Sequence, residues 1–566
     1  MFLEILKKRL YILNKNLVLI FFIFFFYGCS NSQSSIVSTE KGEIQGYEEN
    51  NVDYFLGIPF AEPPVENLRW KAPQDKVAWK GVLQTNKAGS ACMQPTDIGN
   101  TQFVDLLSEG LGLNWYENLI VKFLAFFSPI LDTTKYSEDC LYLNVISPHK
   151  AKNLPVMFWI HGGASRFGSG GEDIYITPNF ANRDVILVTI NYRLGSLGWF
   201  AHPALSEESL NGVSGNYGSL DMIAALEWVK ENISAFGGNP NNVTIFGESA
   251  GGTAVGTLLS SPIAEGLFHK AISQSGSGIP GPRMLTLDSN NLSAEKVGVK
   301  LAAEFGVKDE VDALERLRAI PAEDFVQLDD PIKDAELISG FAQIVDGFVF
   351  PYKFHNAFKN KKTHDVPYIT GFNANEGTSL MPLIFPKEIF EKQFREDEWL
   401  EEFWVIMNLG FNGAVPDEVI SYVEDLGVDD YDAASQLLGD MLFGGPAYFA
   451  AQKRNDDGLD TYLYFFNRAV PSERQTLGAT HALEIPYIFG AFFPFIERTK
   501  WDETLSEIMI SDWVNFAKTG VPNQNWPKFT STEQIAKIYG DSVSSQKLEA
   551  FEMFQALTNF IAQQAE

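Results

Sequence analysis

Val243-Thr-Ile-Phe-Gly-Glu-Ser-Ala-Gly-Gly252 is the stretch on which the fold turns. The apolar run Val243 to Phe246 leads straight into Gly247-x-Ser249-x-Gly251, and a helix-like stretch follows. Glycines flanking a serine between a strand and a helix describe a turn too tight for neighbouring side chains. Such a turn strains the serine and lifts its hydroxyl above the sheet. A bare G-x-S-x-G is a weak signal. The strand before it and Gly252 after it are what make Ser249 a candidate nucleophile.

A serine hydroxyl attacks only when a base takes its proton, so a histidine oriented by a carboxylate must lie near it in space. In elbow proteins the chain order is serine, acid, histidine. Only His269, His355, His364 and His481 follow Ser249. His269 lies too close to the elbow helix to leave room for an acid-bearing strand, and His355 and His364 precede the next carboxylate at a strand end. His481 remains, in Gly478-Ala-Thr-His-Ala-Leu-Glu484 after the apolar run Tyr462 to Phe466. For the acid, Glu376 in Gly371-Phe-Asn-Ala-Asn-Glu-Gly377 directly follows the run Pro367 to Thr370, and strand ends are where α/β sheets present ligand-facing groups. A helix-capping glutamate and a surface histidine with satisfied hydrogen bonds are the competing readings of these two residues.

Upstream, the run Val156 to Ile160 ends in His161-Gly162-Gly163-Ala164. Small residues there let backbone N–H groups point into a cavity, which suits an oxyanion. A phosphate loop is the rival reading, because Gly168-Ser-Gly-Gly171 follows, but no G-x-G-x-x-G opens a helix and no G-x-x-x-x-G-K-[ST] occurs. Neither H-E-x-x-H nor a cluster of cysteines and histidines is present, so no metal or other cofactor is expected.

Further apolar runs, Val185 to Ile190 among them, alternate with helical stretches at about Ser219 to Ser234 and Thr504 to Lys518. The second carries Leu505, Ile508, Met509, Trp513 and Phe516 on one face, with Gly520 and Pro522 as stop signals. This alternation predicts an α/β fold with a large central, mostly parallel sheet and helices on both faces. Gly42 to Asn51 and Val52 to Ile58 predict an antiparallel beginning. No repeat or interdomain linker shows after Ser35, so residues 36–566 are read as one catalytic domain.

The chain has 566 residues, with 43 Lys+Arg against 72 Asp+Glu for a net charge of −29. That balance excludes the basic stripe a nucleic-acid binder needs. A composition 45% hydrophobic and 13% aromatic excludes disorder and supplies a large core. The N-terminus carries Lys7, Lys8, Arg9 and Lys15, then an apolar run from Leu17 to Tyr27. That run is shorter than the about 20 residues a membrane span needs, but it suits an export signal over 1–28. Gly28-Cys29 resembles a bacterial lipobox, which makes Cys29 a candidate for lipidation and 29–35 a flexible linker. Phe26 and Tyr27 are bulky for that motif, so an ordinary signal peptide or an uncleaved anchor remains open. Cys92 and Cys140 are the other two cysteines, and two thiols in an oxidising compartment are more often a bridge than a reactive pair.

Phe236-Gly-Gly-Asn-Pro-Asn-Asn-Val-Thr-Ile-Phe-Gly-Glu-Ser-Ala-Gly251 resembles the active-site signature of the type B carboxylesterases, the cholinesterase-like branch of the α/β-hydrolases. Glu138-Asp-Cys-Leu-Tyr-Leu-Asn144 resembles their second signature. Leu56-Gly-Ile-Pro-Phe-Ala61, Leu68-Arg-Trp70, Asn191-Tyr-Arg-Leu194, Ala271-Ile-Ser-Gln-Ser-Gly276 and Trp513-Val-Asn-Phe-Ala517 are similar to further family segments, so the likeness spans about residue 36 to the C-terminus. The resemblance implies Ser249 as nucleophile, Glu376 as acid, His481 as base, and the N–H groups of Gly163, Ala164 and Ala250 as the oxyanion hole. It also implies a Cys92–Cys140 disulfide and a structural Arg69–Glu138 pair. Where the family has glycine and then an aromatic, this chain has Ala164 and Ser165. An alanine still offers its N–H.

The expectation is therefore an exported serine hydrolase acting on a small-molecule carboxylic ester, held at a membrane through Cys29. A lipase, thioesterase or amidase could use the same residues, and a cholinesterase-like binding protein without activity is the reading from outside enzymes. Leu119-Ile-Val-Lys-Phe-Leu-Ala-Phe-Phe-Ser-Pro-Ile-Leu131 is too apolar to expose as a loop, and is expected either to cover the active-site entrance as a lid or to pack as core.

Overall fold

A computed structural model describes residues 32–95, 110–114, 117, 136–276, 283–286, 293–308, 312–328, 342–395, 398–407, 414–493 and 496–564. The expected export segment 1–28, Cys29 and the apolar stretch 119–131 lie outside these residues.

Twelve strands make the main sheet. In chain order they are β1 (Ser32–Gln33), β2 (Tyr47–Glu49), β3 (Val52–Pro59), β4 (Tyr142–Pro148), β5 (Leu154–Ile160), β6 (Ile186–Ile190), β7 (Gly238–Glu248), β8 (Lys270–Gln274), β9 (Tyr368–Asn373), β10 (Thr461–Phe466), β11 (Ala536–Tyr539) and β12 (Val543–Gln546). Their spatial order is 1-2-3-4-6-5-7-8-9-10-11-12. From β6 across to β11 every pairing is parallel, while β1 to β4 and β12 join antiparallel. The sheet begins at Ser32, inside the stretch expected as linker: Ser32 and Gln33 pair with Glu48 and Tyr47, and Ser34 is buried.

Central strands bury both faces, as parallel sheets covered by helices must. Along β5, Val156, Phe158 and Ile160 face one core cluster while Met157 and Trp159 face another. Helix α1 (Tyr217–Asn232) places Met222, Ile223 and Leu226 in the first cluster. Helix α2 (Ala250–Ser260) follows the elbow. A helical run after β9 includes α3 (Asp430–Gly439) and α4 (Gly445–Asp456). Helix α5 (Lys500–Thr519) covers the second face with Leu505, Met509, Trp513 and Phe516. It starts earlier than the apolar pattern suggests, because Thr499 and Asp502 form a capping box, and it stops at Gly520 with φ 81° as expected.

The strand β8 carries no apolar run, since it reads Lys-Ala-Ile-Ser-Gln. Its polar side chains are satisfied internally: Lys270 reaches Asn242, Ser273 donates to the Gly252 carbonyl, and Gln274 donates to Glu484. Tertiary partners thus stabilise a strand whose local pattern predicts none.

Candidate active site

Ser249 sits between β7 and α2 with φ 56° and ψ −121°, outside the regions that L-residues normally occupy. Such a conformation costs on the order of 1–3 kcal/mol and persists only where its surroundings impose it. Here they do. A Cβ at Gly251 would lie 2.0 Å from the Ile160 carbonyl oxygen, one at Gly252 2.5 Å from that of Gln274, and one at Gly247 2.6 Å from the Gly251 backbone. The Ser249 N–H donates to the Gln274 carbonyl at 2.9 Å, which ties the elbow to the neighbouring strand.

Parallel register brings the other candidates to the same edge of the sheet. Strands β5 and β7 end level with each other, Ile160 opposite Gly247, so the 161–164 turn abuts the elbow. Asn375, just after β9, bridges to Thr480, and the Ala479 N–H donates to the Asn375 side chain at 3.0 Å. Glu376 and His481, more than a hundred residues apart, are thereby set side by side. His481 Nε2 lies 2.9 Å from Ser249 Oγ, and His481 Nδ1 lies 2.6 Å from Glu376 Oε2. The Glu376 side chain does not cap the helix that follows it. Its Oε1 accepts instead from the Asn373 N–H at 2.7 Å and from Ser275 Oγ at 2.6 Å. The His481 side chain is only 10% exposed, so it is not a surface histidine.

Gly163, Ala164 and Ser165 all have positive φ, at 96°, 53° and 58°. Two consecutive non-glycine residues in this region mark a strained loop. Among the described residues, the N–H groups of Gly163, Ala164 and Ala250 have no acceptor, which leaves them available to a ligand. Ala164 thus adopts the left-handed backbone that glycine would take more readily.

Three groups around the histidine carry no local sequence signal for their role. Glu248 places Oε1 3.2 Å from His481 Nε2. Burial raises the Glu248 carboxyl well above the usual range, against the pull of His481. Burial opposes a charged His481, yet Glu248 and Glu376 outweigh it and raise the imidazole. Glu484 is fully buried, accepts from Asn373 Nδ2 at 2.7 Å and from Gln274 at 3.2 Å, and is raised by burial. Ser275 is the third.

Residues 33–553 match the model of the Carboxylesterase family. The chain belongs to that family. It is 33% identical over 551 residues to carboxylesterase 1C of Rattus norvegicus, covering 92% of this chain and 93% of the relative. To para-nitrobenzyl esterase of Bacillus subtilis (strain 168) it is 34% identical over 510 residues, covering 87% and 92%. Among solved structures, a PNB esterase matches with TM-score 0.73 at 31% identity, and a Geobacillus stearothermophilus carboxylesterase with TM-score 0.74 at 30%; each comparison covers 92% of this chain and 99% of the other. The fold is the α/β-hydrolase fold, and the protein is a carboxylic ester hydrolase.

Elsewhere in this carboxylesterase, a disulfide joins Cys92 to Cys140. Arg69 grips Glu138 with two bonds, Nε to Oε1 at 2.6 Å and Nη2 to Oε2 at 2.7 Å. Two other histidines after the elbow have partners elsewhere: His269 accepts from the Val243 N–H in the middle of β7, and His364 Nε2 meets the Ser261 carbonyl. Among the described residues, no group of three or more His, Cys, Asp or Glu could hold a metal ion, and no helix is long and apolar enough to cross a membrane.

Proposed function

We propose that Ser249, His481 and Glu376 are the catalytic triad of an exported carboxylesterase acting through an acyl-enzyme on small-molecule esters, without a cofactor. The observation that carries this reading is the pair of contacts linking Ser249 Oγ to His481 Nε2 at 2.9 Å and His481 Nδ1 to Glu376 Oε2 at 2.6 Å. His481 takes the serine proton as Oγ attacks the ester carbonyl, and Glu376 stabilises the imidazolium that forms. The N–H groups of Gly163, Ala164 and Ala250 hold the oxyanion. His481 then protonates the leaving alcohol, and a water activated by the same ring releases the acid. A panel of p-nitrophenyl esters of rising chain length, run with a fluorophosphonate label, tests the reading. Hydrolysis with the label on Ser249 is expected, and a label on another serine overturns it.

In the same proposal residues 1–28 are an export signal, Cys29 is lipidated, and the catalytic domain includes the sheet strand that starts at Ser32. A Cys29→Ala variant should leave the membrane fraction for the soluble exported fraction with unchanged specific activity, because a single anchored residue would hold an otherwise soluble domain. Fractionation of exporting cells checks this, and a variant that stays membrane-bound with its N-terminus uncleaved favours an uncleaved anchor.

A further inference from the structure

Helices α3 and α4 are joined by a π-helical turn, Asp440–Gly444, so that 430–456 is one helical run with a widened middle. Pro446, in the first turn of α4, has no N–H to donate back along the run, and the wider turn accommodates that loss. Asp440 pins the turn by accepting from the Tyr422 hydroxyl at 2.8 Å and from Gln436 Nε2 at 3.1 Å.

This run presses on both members of the acid–base pair. A Cβ at Gly439 would lie 2.7 Å from Glu376 Cβ, and one at Gly377 would lie 1.7 Å from the Ser435 carbonyl oxygen, so α3 sits directly against the acid. Within the π turn, the Phe443 ring lies on the His481 imidazole, with centroids 4.5 Å apart and planes 23° from parallel. Phe443 is itself buried. A π turn holds about one more residue than an α turn, and one residue rotates a helical side chain by about 100°. The widened turn is therefore what aims Phe443 at the histidine.

We propose that Phe443 is a positioning residue for His481: its ring face holds Nε2 toward Ser249 Oγ and favours the imidazolium formed as the serine attacks. The proposal rests on the triad reading above. A stacked ring blocks rotation of the imidazole, and an aromatic face attracts a cation more strongly when water is excluded. The charged and titratable groups that face His481 are Glu376 from the turn after β9, Glu248 from the end of β7 and Glu484 from its own loop. Asp440, on the π turn itself, is raised by burial and by the nearby Glu376 carboxylate. Glu376 meets the ring at Nδ1 and Glu248 at Nε2, whereas Phe443 meets it by stacking, so a substitution of Phe443 removes the aromatic contact and leaves those carboxylates in place.

Phe443→Leu and Phe443→Met keep an apolar side chain without a π face, and Phe443→Tyr keeps the ring. On a p-nitrophenyl ester, the Leu and Met variants should lose about three- to tenfold in kcat with KM within about twofold. The acid limb of their kcat/KM profile should move to lower pH by about half a unit, because an imidazolium without the ring gives up its proton more easily. Phe443→Tyr should restore both. A fall in kcat with the acid limb unmoved overturns the proposal, as does a rise in KM at constant kcat, or a Tyr variant no better than Leu. If Leu does not fold, as judged by melting temperature, Met gives the same readout. Fluorophosphonate labelling keeps the two readings apart: wild-type protein not labelled at Ser249 refutes the triad, whereas labelling at Ser249 with an unmoved acid limb refutes only the role of Phe443.

Discussion

Ser249→Ala is expected to reduce kcat by a factor on the order of 10⁴ to 10⁶ on any ester the protein hydrolyses, with the fold retained. Alanine removes the nucleophilic oxygen and leaves the rest of the elbow alone, because the close contacts that shape it belong to Gly247, Gly251 and Gly252. The proposed oxyanion donors also stay, since the backbone of Ala250, Gly163 and Ala164 is untouched, so residual activity should reflect binding and those donors alone. Stopped assays on purified variant, beside a thermal melt that matches wild type, decide the matter. Near-wild-type turnover by a folded variant refutes the assignment of Ser249.

Glu376→Gln comes next in size, with an expected loss in kcat on the order of 10⁴ and little change in KM. The reason lies in where the two carboxylate oxygens point. Oε1 accepts from the Asn373 N–H at 2.7 Å and from Ser275 at 2.6 Å, while Oε2 faces His481 Nδ1 at 2.6 Å. A glutamine offers one oxygen, and the Asn373 N–H requires it. The amide NH2 is then turned toward Nδ1, which forces the ring proton onto Nε2, the atom that must accept from Ser249. The charge that stabilises the imidazolium is lost as well. Steady-state kinetics check the outcome, and a silent substitution would move the acid to another carboxylate, with Glu248 the first to try.

Much of the site could be read from the chain because each piece sits in a local pattern with its own steric reason. The elbow needs glycines where a Cβ would meet backbone, the 161–164 turn needs small residues beside it, and Glu376 follows a strand that ends at the ligand-facing edge. Elimination among four histidines, by chain order, left His481. Ser275, Glu484 and Phe443 were not legible in this way. Ser275 and Glu484 join the candidate site only through hydrogen bonds to residues distant in sequence, and Phe443 depends on a helix irregularity that has no apolar period to announce it.

The amino-acid sequence by itself determined the fold class and the family and singled out Ser249, Glu376 and His481 as the candidate site, because close backbone approach and strand ends leave local signatures in residue type. Only the tertiary structure decided how these residues meet. Strand register puts Ile160 level with Gly247, and a bridge between Asn375 and Thr480 sets Glu376 beside His481. The strand β8, with lysine, serine and glutamine among its five residues, exists only because Asn242, Gly252 and Glu484 meet its polar groups inside the protein. Local propensity cannot foresee such partners: the free energy that holds them comes from contacts closed when the whole sheet assembles, between residues that have no relation along the chain.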